Sequence, residues 1–290
     1  MAGLKVRKLD GTLLLDTQRI TYGLVKSGRL TQGERWPRKY LRSIQLDPNN
    51  GQNWVDSPGL SDQVWNFTVP NAVAPMLFIV GNGTLNGSTI SGNTITYFYL
   101  NADANTKVYA FDQMREMGSG PRLRCRNVAT GALTFNSYMV PLNVLAVVQA
   151  PTIPGVPPPP YGSGVDNGSR ATTYVNGYNQ DITYGNSQTV ASVIYSKVDI
   201  PFANEEYAAH LTFTRGATVQ MQTPSGANFQ FGLEEGCGGY TGGIRFMFGP
   251  AGGTPQQSSS GSWTLFYGIP TDRFPTALVI RTSNLPFPFN

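Results

Sequence analysis

Residues 4–17 read LKVRKLDGTLLLDT, and residues 123–137 read LRCRNVATGALTFNS. Set side by side, they are one device written twice. A short run alternates apolar and basic residues, a turn is built around glycine, and a second apolar run closes on Asp16-Thr17 or Asn136-Ser137; the second copy carries one extra turn residue. Alternation with a period of two is a strand signal, and a glycine turn between two such runs is a hairpin signal. Asp10-Gly11 suits a two-residue type I′ turn, in which both central positions need positive φ. In the second copy Ala129, Thr130 and Gly131 suit a three-residue loop with Gly131 left-handed, which accounts for the extra residue.

The rest of the chain extends this strand-turn-strand reading. Only 13% of the 290 residues are charged, while 33 Gly and 21 Pro punctuate apolar runs rich in Val, Thr, Tyr and Phe. That composition disfavours long salt-bridged helices and favours strands joined by tight turns. Runs such as ITYGLVKSG, PMLFIVG, TITYFYL, KVYAFD, DITYG and TALVIRT recur at sandwich-like spacing. In GIRFMFG, Ile244, Phe246 and Phe248 share one face, and in NFQFGL, Phe229, Phe231 and Leu233 do. NEEYAAH (204–210) reads as a helical turn. The stretch PTIPGVPPPP at 151–160 holds six prolines in ten positions, which neither a helix nor a central strand accommodates. The expected fold is therefore all-β, with two β-sandwich (jelly-roll-like) domains, residues 1–150 and 168–290, joined by a Pro-rich linker over 151–167. Its prolines form an extended rod holding the second domain away from the first. A hairpin near each end of the first domain predicts that the two copies lie side by side and cover sheet edges.

The supply of reactive side chains narrows the chemistry. His210 is the only histidine and precedes the alternating run LTFT, so it reads as a structural imidazole. There is no G-x-S-x-G nucleophile elbow, no GxxxxGK[ST] phosphate loop and no regular D-x-D-x-D calcium loop. Glu205-Glu206 and Glu234-Glu235 are adjacent pairs, and neighbours on a strand face opposite ways, so neither is a facing dyad. We expect no enzyme, no cofactor and no metal. Two cysteines on opposite sides of the proline stretch, Cys125 and Cys237, do not make a disulfide framework. The longest apolar runs fall short of the roughly 20 residues a spanning helix needs, and the N-terminus lacks an apolar run of signal-peptide length. The net charge of +4 hides a basic lead: residues 1–42 hold ten Lys or Arg against three Asp or Glu. Such a lead either docks on an acidic partner or sits on the solvent face of strands; nucleic acid is not the expected partner.

What remains is surface recognition. ATTYVNGYNQDITYGNSQ sets Tyr174, Tyr178 and Tyr184 among Asn176, Asn179, Gly and Ser, a composition of binding loops in which rigid aromatics supply area and small amides adapt. Glycine-rich loops around Tyr240 and Trp263 suit a mobile tip or an intersubunit contact. These seven residues are the candidate recognition set, either against a surface polysaccharide or as half-buried strand residues. The tail LPFPFN carries two phenylalanines suited to packing on a neighbouring chain.

The repeated hairpin also carries a resemblance. Gly3, Leu4, Val6, Gly11, Leu15, Asp16 and Thr17, then Tyr109, Phe111, Asp112, Asn127, Gly131, Phe135, Asn136 and Ser137, match a pattern of turn and strand residues. In that pattern the first half, residues 1–148, resembles small tail-tip and baseplate-associated structural proteins of tailed bacteriophages of the siphovirus type. The resemblance implies a virion protein assembled in the host cytoplasm, with other tail or baseplate proteins as partners and a homo-oligomeric state, taken as a trimer. Position alone assigns the second half to a host polysaccharide or protein receptor, or to neighbouring subunits. The competing expectation is a non-viral carbohydrate-binding module using the tyrosine-rich face.

Overall fold

The computed structural model describes residues 5–7, 9–11, 13–16, 19–42, 45–47, 50–154, 165–166, 171–184, 191–222, 228–252, 256–258 and 265–289. Before the proline stretch lie β1 (Lys5–Arg7), β2 (Leu13–Asp16), β3 (Tyr22–Arg29), β4 (Thr31–Leu41), β5 (Trp54–Val69), β6 (Met76–Val80), β7 (Thr84–Ser91), β8 (Thr94–Leu100), β9 (Lys107–Gln113), β10 (Arg124–Arg126), β11 (Leu133–Asn136) and β12 (Ala146–Gln149). After it come β13 (Val165–Asp166), β14 (Tyr178–Tyr184), β15 (Ala191–Leu211), β16 (Gly216–Gln222), β17 (Asn228–Pro250), β18 (Gln256–Ser258), β19 (Leu265–Tyr267), β20 (Ile269–Pro270) and β21 (Thr276–Arg281). The class is all-β; among the described residues the one helical element is the single 3-10 turn Gly51–Asn53. NEEYAAH is not a helical turn: it lies inside β15.

Two sheets make the body. A four-stranded sheet runs β4-β5-β8-β7, and an eleven-stranded sheet follows β12-β21-β15-β17-β6-β9-β3 with β14, β16, β18 and β19 attached. The central strands β6 and β9 are covered on both sides, which is why MLFIV and VYAF are continuous apolar runs instead of alternating ones. Leu77, Ile79, Val108 and Ala110 point into one core with Val25, Phe67, Val69 and Tyr99. Their neighbours Phe78, Val80, Tyr109 and Phe111 point the other way, into a second core with Leu24, Ala208 and Ile280. A third core is built after residue 145, and Ile244, Phe246 and Phe248 all lie in it as the alternation of GIRFMFG requires.

The pairing runs across the stretch read as a linker. β12, ahead of the prolines, pairs with β21, and β13, behind them, pairs with β20. Ile153 is buried in the C-terminal core. Residues 155–164, most of the expected rod, lie outside the described residues. Both flanks of the stretch are thus fixed to the same lobe, and the lobes touch along one sheet instead of standing apart.

Glycine makes this seam. EEGCGGYTGG, read as a mobile loop, is the middle of β17. Gly81 N–H donates to the Gly239 carbonyl (2.8 Å), and Gly239 is the parallel partner of Val80. A Cβ on Gly239 would fall 1.8 Å from the Tyr207 carbonyl oxygen, and one on Gly238 1.9 Å from that of Gly81. Only residues without a Cβ allow three backbones to converge so closely. Lys107 and Glu206 pair across the seam at 2.8 Å. The tail closes it from outside: Phe289 and Ser27 exchange backbone hydrogen bonds (2.8 and 3.0 Å), and Leu285 and Phe287 pack on the second core. The tail's phenylalanines are therefore occupied within the chain.

The two repeats fold as the same hairpin. Lys5, Val6 and Arg7 face Asp16, Leu15 and Leu13; Arg124, Cys125 and Arg126 face Asn136, Phe135 and Leu133; each has a bulge at the same step. Gly11 and Gly131 both take positive φ (84° and 71°). Asp10 is not among the residues with positive φ, so the first turn is not the type I′ expected; five residues separate Arg7 from Leu13, which leaves room for a wider loop. The second turn is shaped by Asn127, whose Oδ1 accepts from Ala129 N (2.9 Å) and Thr130 N (3.1 Å). The hairpins are two separate two-stranded sheets, not paired edges of one. The expectation that they close a shared sheet edge is overturned.

Candidate functional site

Strand register assembles a polar aromatic patch on the C-terminal lobe. Asp199 on β15 is the cross-strand partner of Arg245 on β17, and Tyr178 on β14 is the partner of Lys197, two residues before Asp199. Side chains two apart on a strand share a face, so these groups meet. Arg245 grips Asp199 through two hydrogen bonds (Nε–Oδ1 2.6 Å, Nη2–Oδ2 3.1 Å). The Tyr178 hydroxyl donates to Asp199 Oδ2 (3.1 Å), and the guanidinium carbon of Arg245 lies 5.3 Å from the Tyr240 ring centroid. Two tyrosine rings thus flank an ion pair, with Tyr178 41% exposed.

The electrostatics follow from partial burial. Burial and the Asp199 carboxylate both push the Tyr178 and Tyr240 hydroxyls above their ordinary value, although Arg245 opposes this. Burial works against the Arg245 charge, but its bonds to Asp199 outweigh that and hold it more firmly protonated. On the same face beside Asp199, Lys197 is only 2% exposed; its ammonium donates to Gln180 Oε1 (2.7 Å) and lies over the Tyr195 ring. Burial first, and the Arg245 charge second, bring it down to about 8. Fixed rings, a charge pair and amides can hold polar ligands by stacking and hydrogen bonding.

Of the seven residues read as a recognition set, Tyr178, Asn179 and Tyr240 belong to this patch or its margin. Asn179 is exposed, and its amide donates to the Ala171 carbonyl (2.7 Å). Asn176 is exposed in the preceding turn with φ 59°, and Tyr184 ends β14 opposite Ala191. Trp263 lies outside the described residues. Tyr174 is not a recognition residue: it is fully buried in the C-terminal core, 5.5 Å from the Phe248 ring, and its hydroxyl donates to Glu235 Oε1 (2.8 Å). Its apolar neighbours and a buried acceptor claim it. Asp199, Arg245, Lys197 and Gln180 were missed, because only cross-strand register brings them together.

The adjacent carboxylates serve different partners. Glu235, fully buried, takes two hydrogen bonds from Arg215, while Glu234 accepts from the Thr214 hydroxyl. Glu205 pairs with Arg281, and Glu206 with Lys107. The His210 Nδ1 is 3.0 Å from the Leu77 carbonyl, and its ring packs 5.5 Å from Phe78. It also borders a cavity of about 530 Å³ lined by Leu77, Ile79, Leu85, Tyr97 and Phe213. No family model, curated protein or solved structure matches this chain.

Proposed function

We propose that the chain is a structural component of a bacteriophage tail tip or baseplate, working as a homo-oligomer within the virion. In this reading the N-terminal lobe docks on neighbouring tail proteins, and the C-terminal lobe turns its tyrosine patch to the host surface or to adjacent subunits. The molecule is read as two sandwich lobes of jelly-roll character on a common sheet. The observation that carries the proposal is the pair of hairpins. Val6, Gly11, Leu15 and Asp16 in the first hairpin, and Asn127, Gly131, Phe135 and Asn136 in the second, are among the residues that bear the phage-protein resemblance, and both hairpins end on exposed aliphatic tips, Leu9 and Val128. Short ribbons that hold aliphatic tips in solvent leave those tips available to a neighbouring subunit.

The patch of Tyr178 and Tyr240 also supports a second reading, a carbohydrate-binding module outside any virion. Mass spectrometry of purified phage particles separates the two. The proposal expects this chain at stoichiometric level among the virion proteins; its absence there, with saccharide binding by the purified monomer, favours the module.

A further inference from the structure

The repeated hairpin goes further than the reading just given, on which the following rests. The two copies share register, bulge position and a positive-φ glycine. They also share a staple: Arg7 Nη1 donates to the Gly11 carbonyl (2.8 Å), and Arg126 Nη1 donates to that of Gly131 (3.0 Å). Their turns differ in length and sequence, so local turn chemistry does not dictate the likeness. The likeness nevertheless reaches the tip, where Leu9 and Val128, each two residues beyond the stapling arginine, stand out in solvent at 112% and 65% exposure. A lone exposed aliphatic is ordinary. Two at the same position of the same device are a pattern.

Both ribbons are also net positive. Residues 5–16 carry three basic side chains against two acidic ones, and residues 124–136 carry two against none, so the ribbons are positive by one and by two. In the second, Glu116 alone faces Arg122, Arg124 and Arg126. In the first, Asp16 faces Lys5 and Arg19. The two ribbons are rooted within a short chain reach of each other. Thr21 N–H donates to the carbonyl of Thr134 in the second hairpin (3.0 Å), and Asp16, the root of the first, is five residues from Thr21. Chain reach limits that separation to about 18 Å.

We propose that the two hairpins are duplicate docking prongs that engage two equivalent sites on adjacent copies of one acidic partner polypeptide, each site an apolar notch edged by carboxylates. One site takes one prong, so two like prongs fit a partner that repeats. Each contact is small, and the pair gains by avidity, on the order of 10²-fold or more over one prong.

The test places the photocrosslinking residue p-benzoylphenylalanine at position 9, at position 128 or, as a control, at exposed Ile90, in full-length protein made in cells assembling the phage. Positions 9 and 128 are expected to cross-link to the same segment of the same virion polypeptide, and position 90 is not. Cross-links to two different polypeptides, from one tip only, or from neither tip of particle-bound protein overturn the inference while leaving the virion reading intact. Absence of the protein from the particle overturns both. A second measurement compares Leu9→Asp with Val128→Asp, whose folds should be unaffected because both side chains are solvent-exposed. Equal drops in incorporation, of about 10²-fold each, are expected; a loss from only one, or from neither, contradicts two equivalent prongs.

Discussion

Replacing Gly239 with alanine probes the seam where the two lobes meet. The new methyl would sit 1.8 Å from the Tyr207 carbonyl oxygen and close to the backbone nitrogen of Ala208, so β17 or β15 must shift by more than an ångström. Overpacking of that kind costs about 1–3 kcal/mol. The same shift pulls on the Gly81–Gly239 hydrogen bond, worth about 1 kcal/mol more. The smaller conformational freedom of alanine in the unfolded chain returns about 0.4–1 kcal/mol. The net loss is about 1–4 kcal/mol, a large share of a typical domain's stability. Urea unfolding measures it, with far-UV circular dichroism for the whole chain and tryptophan fluorescence for the N-terminal lobe, which holds Trp36, Trp54 and Trp65 of the four tryptophans. Because the lobes share a sheet, both signals should shift together. Gly216→Ala is the control, since its methyl would meet nothing nearer than 3.9 Å. If Gly239→Ala is as stable as the control, or moves one signal without the other, the seam as described is wrong.

Lys197 sets a pH dependence. Its folded value of about 8 lies below its ordinary 10.5, so between these the unfolded chain binds the extra proton and stability rises with pH. A gain of order 1–3 kcal/mol is expected, beginning near pH 8 and running until tyrosine ionisation near pH 10 reverses the trend. Lys197→Met should flatten that rise in urea midpoints taken from pH 7 to 9.5; an unchanged slope would rule the lysine out as its source. Tyr174→Phe strips a hydrogen bond from buried Glu235 and should lower stability by about 1–3 kcal/mol in thermal melts, whereas a surface residue would leave them alone. Cys237 is buried, and burial pushes its thiol up, while Cys125 is partly exposed. Ellman's reagent should therefore titrate one thiol in the native protein and two after unfolding; rapid reaction of both would contradict the burial of β17.

Local features were legible and long-range ones were not. The hairpins, the left-handed glycine at 131 and the shared face of Ile244, Phe246 and Phe248 depend on neighbours in sequence, and periodicity reports neighbours. EEGCGGYTGG misled because glycine has two uses. It permits turns, and it permits backbones to approach, and composition does not tell them apart. The proline stretch misled similarly: it does interrupt a ladder, but both of its flanks pair with the same lobe, so an interruption was not a boundary. Tyr174 and Tyr178 look alike on paper, yet the turn at Val175 and Asn176 between them sends one into the core and leaves the other on the surface. The Asp199–Arg245 pair is 46 residues apart, and only register joins it.

The most direct test of the account is a cryo-electron microscopy map of the phage tail tip at side-chain resolution. The account predicts density for this chain with both hairpin tips, Leu9 and Val128, buried against like surfaces of neighbouring tail subunits, and with the Tyr178–Tyr240 patch facing outward or against another copy. A tail tip fully accounted for by other chains, or this chain present with both hairpin tips in open solvent, would contradict it.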